Sequence, residues 1–182
     1  MIVPSVSIWN AGFQHDVVSF QAISDALNFL LDPPECEVNQ TTTQSIATGL
    51  TTATAVSFNS ATTDNDGMWD SAHPTYITIQ TPGWYEVEWA VSWATKSTDT
   101  TIRTQALYLN QSFGIAAAIA YNDYVNDSGT TPQIWQSYDL FLATGDKLSV
   151  GLMQNTGTSL STASSATLKD QQTFLRVRWA SL

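Results

Sequence analysis

Residues Tyr76 to Trp93, YITIQTPGWYEVEWAVSW, constrain the fold of this chain more than any other stretch. Two runs of alternating side chains flank a break at Thr81-Pro82-Gly83. In the second run Tyr85, Val87, Trp89, Val91 and Trp93 point one way, and Glu86, Glu88, Ala90 and Ser92 the other. A period of two with aromatic and β-branched residues on one face describes a half-buried antiparallel strand. Proline presets φ and glycine tolerates positive φ, so the break reads as the turn of a hairpin. Each large aromatic hides roughly 150–250 Å². The face carrying three of them therefore belongs to a sandwich core or to a subunit interface.

The rest of the chain extends the same pattern. Gln44–Phe58, Ile102–Asn110, Ile134–Leu142, Lys147–Gln154 and Thr173–Trp179 read as strands, and alanine-rich Phe113–Tyr121 offers a short helix by propensity but reads as a strand by its position between strands. They are separated by turn signals at Asp64-Asn65-Asp66-Gly67, Asn110-Gln111 and Ala143-Thr144-Gly145-Asp146, and by loops at 96–101, 122–131 and 159–167. Eight to ten short strands at this spacing predict an all-β double-sheet sandwich. No repeat of 20–50 residues supports a solenoid or propeller.

Only the front departs from this reading. Ser19–Leu31 places Phe20, Ile23, Leu27 and Leu30 at helical steps of three, four and three. Ser19 is the expected N-cap, and Asp32-Pro33-Pro34 ends the helix because proline lacks the donor and clashes with the preceding turn. A helix this short does not persist alone in water. Its stripe must lie on its own β-body, on another copy or on another protein, which makes Phe20, Ile23, Leu27 and Leu30 candidate assembly residues. The expected organisation is an arm over residues 1–39 and a sandwich over 40–182.

Charge excludes some functions. The net charge is −10, and residues 1–95 hold ten acids and no Lys or Arg. A nucleic-acid ligand needs a basic stripe to displace phosphate counterions, and none exists. Charged residues are only 12% of the chain, which is rich in Ser and Thr, a surface suited to an extracellular or particle-borne β-protein. Cys36 stands alone, so no internal disulfide forms. No apolar run reaches 18 residues and no basic n-region precedes an apolar one, so neither membrane insertion nor ordinary secretion is expected. Release by host lysis from the cytoplasm satisfies both observations.

No catalytic constellation emerges. Asp64-Asn65-Asp66-Gly67 with Asp70 lacks calcium-loop spacing and reads as a turn. His15 and His73 are isolated, so no zinc site is expected. Glu86 and Glu88 read as strand-face charges rather than a glycosidase pair. Cys36, between Glu35 and Glu37, is a poor nucleophile. No Ser-His-Asp order, phosphate loop or dinucleotide fingerprint is present. The expectation is a non-enzyme without metal or cofactor. Arg176 and Arg178 share a strand face with Phe174, with Asp139 or the acidic front of a neighbouring copy as expected partners. Trp9, Trp69 and Trp135, in or near loops, are candidate ligand-facing aromatics for a sugar or receptor.

Several motifs in register carry a resemblance. Pro82-Gly83-Trp84-Tyr85-Glu86-Val87, Leu107-Tyr108-Leu109-Asn110, Leu140-Phe141-Leu142, Gly145-Asp146-Lys147-Leu148-Ser149-Val150 and Thr173-Phe174-Leu175 together resemble the jelly roll of the complement C1q and tumour-necrosis-factor superfamily over about residues 40–182. The front, with Asn28-Phe29-Leu30, Pro33-Pro34 and Gln44-Ser45-Ile46, is similar to small structural proteins of actinobacterial phages described as minor tail proteins. The first resemblance implies a homotrimer, with Tyr85, Trp89, Phe174 and Val177 as core or trimer interface. The second implies a virion component contacting other tail or capsid proteins.

Overall fold

The computed structural model describes residues 17–96, 101–125, 133–163 and 172–181. Among the described residues a helix, α1 (Val17–Leu31), precedes twelve strands: β1 (Glu35–Gln40), β2 (Ser45–Ile46), β3 (Gly49–Ala55), β4 (Ser60–Asp64), β5 (Ile77–Thr78), β6 (Gly83–Ser92), β7 (Ile102–Leu109), β8 (Ala118–Val125), β9 (Gln133–Leu142), β10 (Lys147–Gln154), β11 (Leu160–Ser161) and β12 (Thr173–Ser181). The first sheet runs β4-β1-β12-β6-β9, and the second β3-β10-β7-β8 with β5 also on β10. The short β11-β2 ladder stands apart. The strand pairs are antiparallel.

Alternation explains the core. Tyr85, Val87, Trp89, Val91 and Trp93 are all fully buried, packed with Leu175 and Val177 of β12 and with Leu107, Leu148, Val150 and Leu152 of the second sheet. The choice left open for Tyr85, Trp89 and Val177 therefore falls on the monomer core. Phe174 is separate: it lies opposite Ala90 on the outer face of the first sheet and packs edge-on to Trp135, ring centroids 4.7 Å apart. Residues three apart on a strand cannot share a face, so Phe174 and Val177 serve different surfaces. Arg103 is fully buried, its guanidinium 5.9 Å from the centroid of the Trp93 ring.

Four expectations need correction. The Tyr76–Trp93 stretch is not a hairpin: β5 pairs with β10 in the second sheet, while β6 pairs with β12 and β9 in the first. Ile77 and Ile79 do point into the same core as Tyr85, because alternation specifies a face and not a partner. The break is a crossing between sheets, closed by Ile79 N–H donating to Asp146 O (2.9 Å) and Gly145 N–H to Ile79 O (2.8 Å). Gly83 is required there, since at φ +154° a Cβ would meet the Trp179 indole and sit 2.6 Å from Ser181 O. Second, a single-turn 3-10 helix occupies Ile115–Ala117, and β8 continues to Val125 through the expected loop. Pairing with β7 holds it there, including Thr104 Oγ1 donating to Asp123 Oδ1 (2.5 Å), which outweighs the poor strand propensity of Asn122 and Asp123.

Third, the first sheet begins at Glu35, ahead of the boundary expected at 39/40, because Cys36 and Val38 alternate into the core. Fourth, Arg176 pairs with Glu88 and lies 3.8 Å from Glu37, and Arg178 lies 3.6 Å from Glu35. The arginines thus find same-chain acids on the flanking strands, opposite which register places them.

Candidate functional site: an aromatic sheet face and its flank

The outer face of the first sheet gathers the even-numbered residues of β6 and β12 and the odd-numbered residues of β9. At one end Trp84 and Phe141 lie opposite each other with ring centroids 5.9 Å apart, 46% and 51% exposed. At the other end Trp135, 55% exposed, covers Phe174. Between them runs a charged belt of Glu35, Glu37, Glu86, Glu88 and Asp139 against Arg176 and Arg178. Burying such a face removes a large apolar area, while the belt fixes register more than energy, since exposed pairs are worth about 0–1 kcal/mol.

A second apolar surface lies on the flank. β8 and β9 end their respective sheets on one side of the sandwich, where Gln105 Nε2 of β7 donates to Ile134 O of β9 at 3.1 Å. Tyr121, Val125 and Tyr138 are exposed there. Face and flank are different surfaces. A contact between unlike surfaces is heterologous and closes into a ring when its rotation permits.

Helix α1 presents its predicted stripe outward. Phe20, Leu27 and Leu30 are exposed and Ile23 is half-buried. The residue that packs on the β-body is Phe29, edge-on to Trp179 at 4.7 Å. Ala22 and Ala26, both half-buried, continue its line along the helix. Reading only the four-residue stripe passed over this narrower one, whose signal was the spacing of Ala22, Ala26 and Phe29.

Of the three loop tryptophans, the two in the described residues, Trp69 and Trp135, lie on different surfaces. Trp9 lies outside the described residues. Trp135 is on the sheet face, and Trp69 is half-buried against the core edge. Trp69 helps line a shallow cavity of about 230 Å³ with Asp70, His73, Tyr76 and Gln80. His73 Nδ1 lies 3.6 Å from Asp70 Oδ2, and its ring is 5.5 Å from that of Tyr76. Lys147 Nζ stands 4.6 Å from the Tyr76 ring centroid.

The Asp64–Gly67 turn has its oxygens engaged by the protein. The Asp64 carboxylate accepts from Met68 N–H (2.7 Å) and Trp69 N–H (3.1 Å), and Asn65 Oδ1 accepts from Glu35 N–H (2.7 Å). Asp66 Oδ2 accepts from Thr81 Oγ1 (2.9 Å). Gly67 supplies the positive φ, +65°. Among the described residues no group of three or more His, Cys, Asp or Glu is placed to hold a metal. Burial first, then the Asp64 charge, pushes the Cys36 thiol far above its ordinary range. Glu35 and Glu37, the neighbours singled out in the sequence, add less. Burial, followed by Asp66, also raises the Tyr85 phenol, whose hydroxyl donates to Thr81 O at 2.6 Å.

Solved structures superpose on this sandwich. The globular domain of zebrafish complement 1qA superposes with a TM-score of 0.52 at 15% identity, over 79% of this chain and 94% of that one. The fold is a C1q/TNF-like jelly roll. Murine APRIL gives 0.57 at 13% identity, over 80% and 98%, and the Eiger TNF of S. frugiperda 0.51 at 14%, over 82% and 95%. No protein-family model and no curated protein matches the sequence. Among the described residues the sheet face and the flank carry exposed aromatic side chains, and α1 stands at the end of the sandwich where β6 begins.

Proposed function

We propose that the chain is a non-enzymatic, homotrimeric structural protein of a phage particle, a minor tail or capsid-decoration component attached by its N-terminal arm. The observation that carries the trimer is the pair of unlike exposed apolar surfaces, Trp84, Trp135 and Phe141 on the sheet face and Tyr121, Val125 and Tyr138 on the flank. Each supplies what the other leaves uncovered, and three such contacts close a ring without self-complementary patches. The resemblance of the β-body to the C1q and TNF superfamily supports the same stoichiometry. The particle assignment rests on the resemblance of residues 19–49 to phage tail proteins and on the outward apolar stripe of α1. Washed virions of the phage that encodes this chain are expected to contain it, at a copy number divisible by three by quantitative mass spectrometry. Its absence from them overturns the virion assignment.

A second reading, binding of a host surface glycan, is favoured by the cavity beside Trp69. Aromatic rings with a carboxylate, an imidazole and a carboxamide at their edges match the apolar face and hydroxyl rim of a sugar. If this reading holds, the protein binds a glycan array and Trp69→Ala loses the signal while Trp135→Ala keeps it. Silence of the wild-type protein on such arrays leaves the structural role alone.

A further inference from the structure

The stripe on α1 has the spacing of a coiled-coil seam. Phe20 and Leu27 fall at a positions and Ile23 and Leu30 at d positions of one heptad frame, with Ser24, Ala26 and Leu31 at the e and g positions between them. Leu27, Leu30 and Leu31 are 54%, 68% and 83% exposed, while the helix attaches to its own body through Phe29, outside that seam. We propose that the occupant of this seam is the same helix of the other copies, so that three α1 helices pack in parallel at one end of the trimer.

Three observations choose a second copy over a foreign partner. The helix carries one charged residue, Asp25, and it falls at f, the position farthest from the seam. Identical helices can therefore approach without like charges meeting at e or g, and no charge on the seam selects a different sequence. The root of the helix is fixed to the body. Trp179 N–H donates to Pro34 O (2.8 Å), Asn65 Nδ2 donates to Pro33 O (2.9 Å) and to Asp32 Oδ1 (2.8 Å), and Trp179 Nε1 donates to Pro82 O (3.3 Å). That root adjoins Gly83 and Trp84, at the end of the face where Trp84 meets Phe141. The inference rests on the proposed trimer: when three such faces surround an axis, their helix roots arrive at the same end of it, pointing the same way. Seams of under two heptads are too short to associate alone. Tethering to associated bodies raises their effective concentration and removes that limit.

Cysteine cross-linking of the full chain tests this. Under mild oxidation Leu30→Cys, at a d position, is expected to convert most of the chain to a covalent dimer on a non-reducing gel, unchanged on dilution. Asp25→Cys, at f, is expected to stay uncrosslinked. The native Cys36 gives no background, being fully buried with its thiol held protonated. Leu27→Cys at an a position repeats the test if Leu30→Cys fails to fold. Cross-linking no greater than that of Asp25→Cys overturns the inference. The native mass of the same samples separates the two failures: a trimer without cross-links leaves the assembly standing with its helices apart, whereas a monomer removes both.

Discussion

Replacing Trp84 and Phe141 together by serine is expected to convert the protein to a monomer with its fold retained. The two rings lie opposite each other on β6 and β9, half-exposed, at one end of the outer sheet face. Truncating an aromatic anchor that an interface buries costs about 2–4 kcal/mol. Two anchors lost at each of three contacts exceed what an interface of ordinary size can spare. Within the monomer the same change costs little, because neither ring is in the core. The serine variant should therefore keep the β-sheet circular-dichroism spectrum and cooperative unfolding while its native mass falls to that of one chain. An unchanged mass would show that this face is not the interface.

Trp89→Ala is expected to have the opposite signature. Trp89 is fully buried, on the core face of a central strand, against residues of both sheets. Emptying such a site costs about 3–5 kcal/mol, the lost transfer energy plus the cavity left behind. For a chain of this size the midpoint of thermal unfolding falls on the order of 10 °C. The native mass should not change. Trp135→Ala provides the contrast, since its ring is more than half exposed and lies on the outer face. A loss for Trp89→Ala below about 1 kcal/mol would contradict a tightly packed core at this site.

The difference between these two tryptophans also shows what the sequence could convey. Alternation placed Tyr85 and Trp89 on a buried face, and the Ala143–Asp146 turn set the start of β10 at Lys147. Parity alone also separates Phe174 from Val177, which the family resemblance groups together. Pairing partners were less legible. Ile77 and Tyr85 share a core but belong to different sheets, and only a long-range register makes that distinction. The same holds for Arg176 and Arg178, whose acids lie on β1 and β6, far away in sequence. At the N-terminus the broad stripe of α1 concealed the contact that binds it. Phe29 and two half-buried alanines make a narrow line, and the partner of Phe29, Trp179, comes from the far end of the chain. The exposed aromatic face was hidden for a related reason. Trp84, Trp135 and Phe141 come from two strands whose adjacency no local pattern announces.

The native mass of the full chain in solution, measured by light scattering or native mass spectrometry, tests the central claim most directly. The account predicts a single species at three times the 19.9 kDa chain mass, persisting on dilution into the micromolar range. A species at 19.9 kDa under those conditions would contradict it.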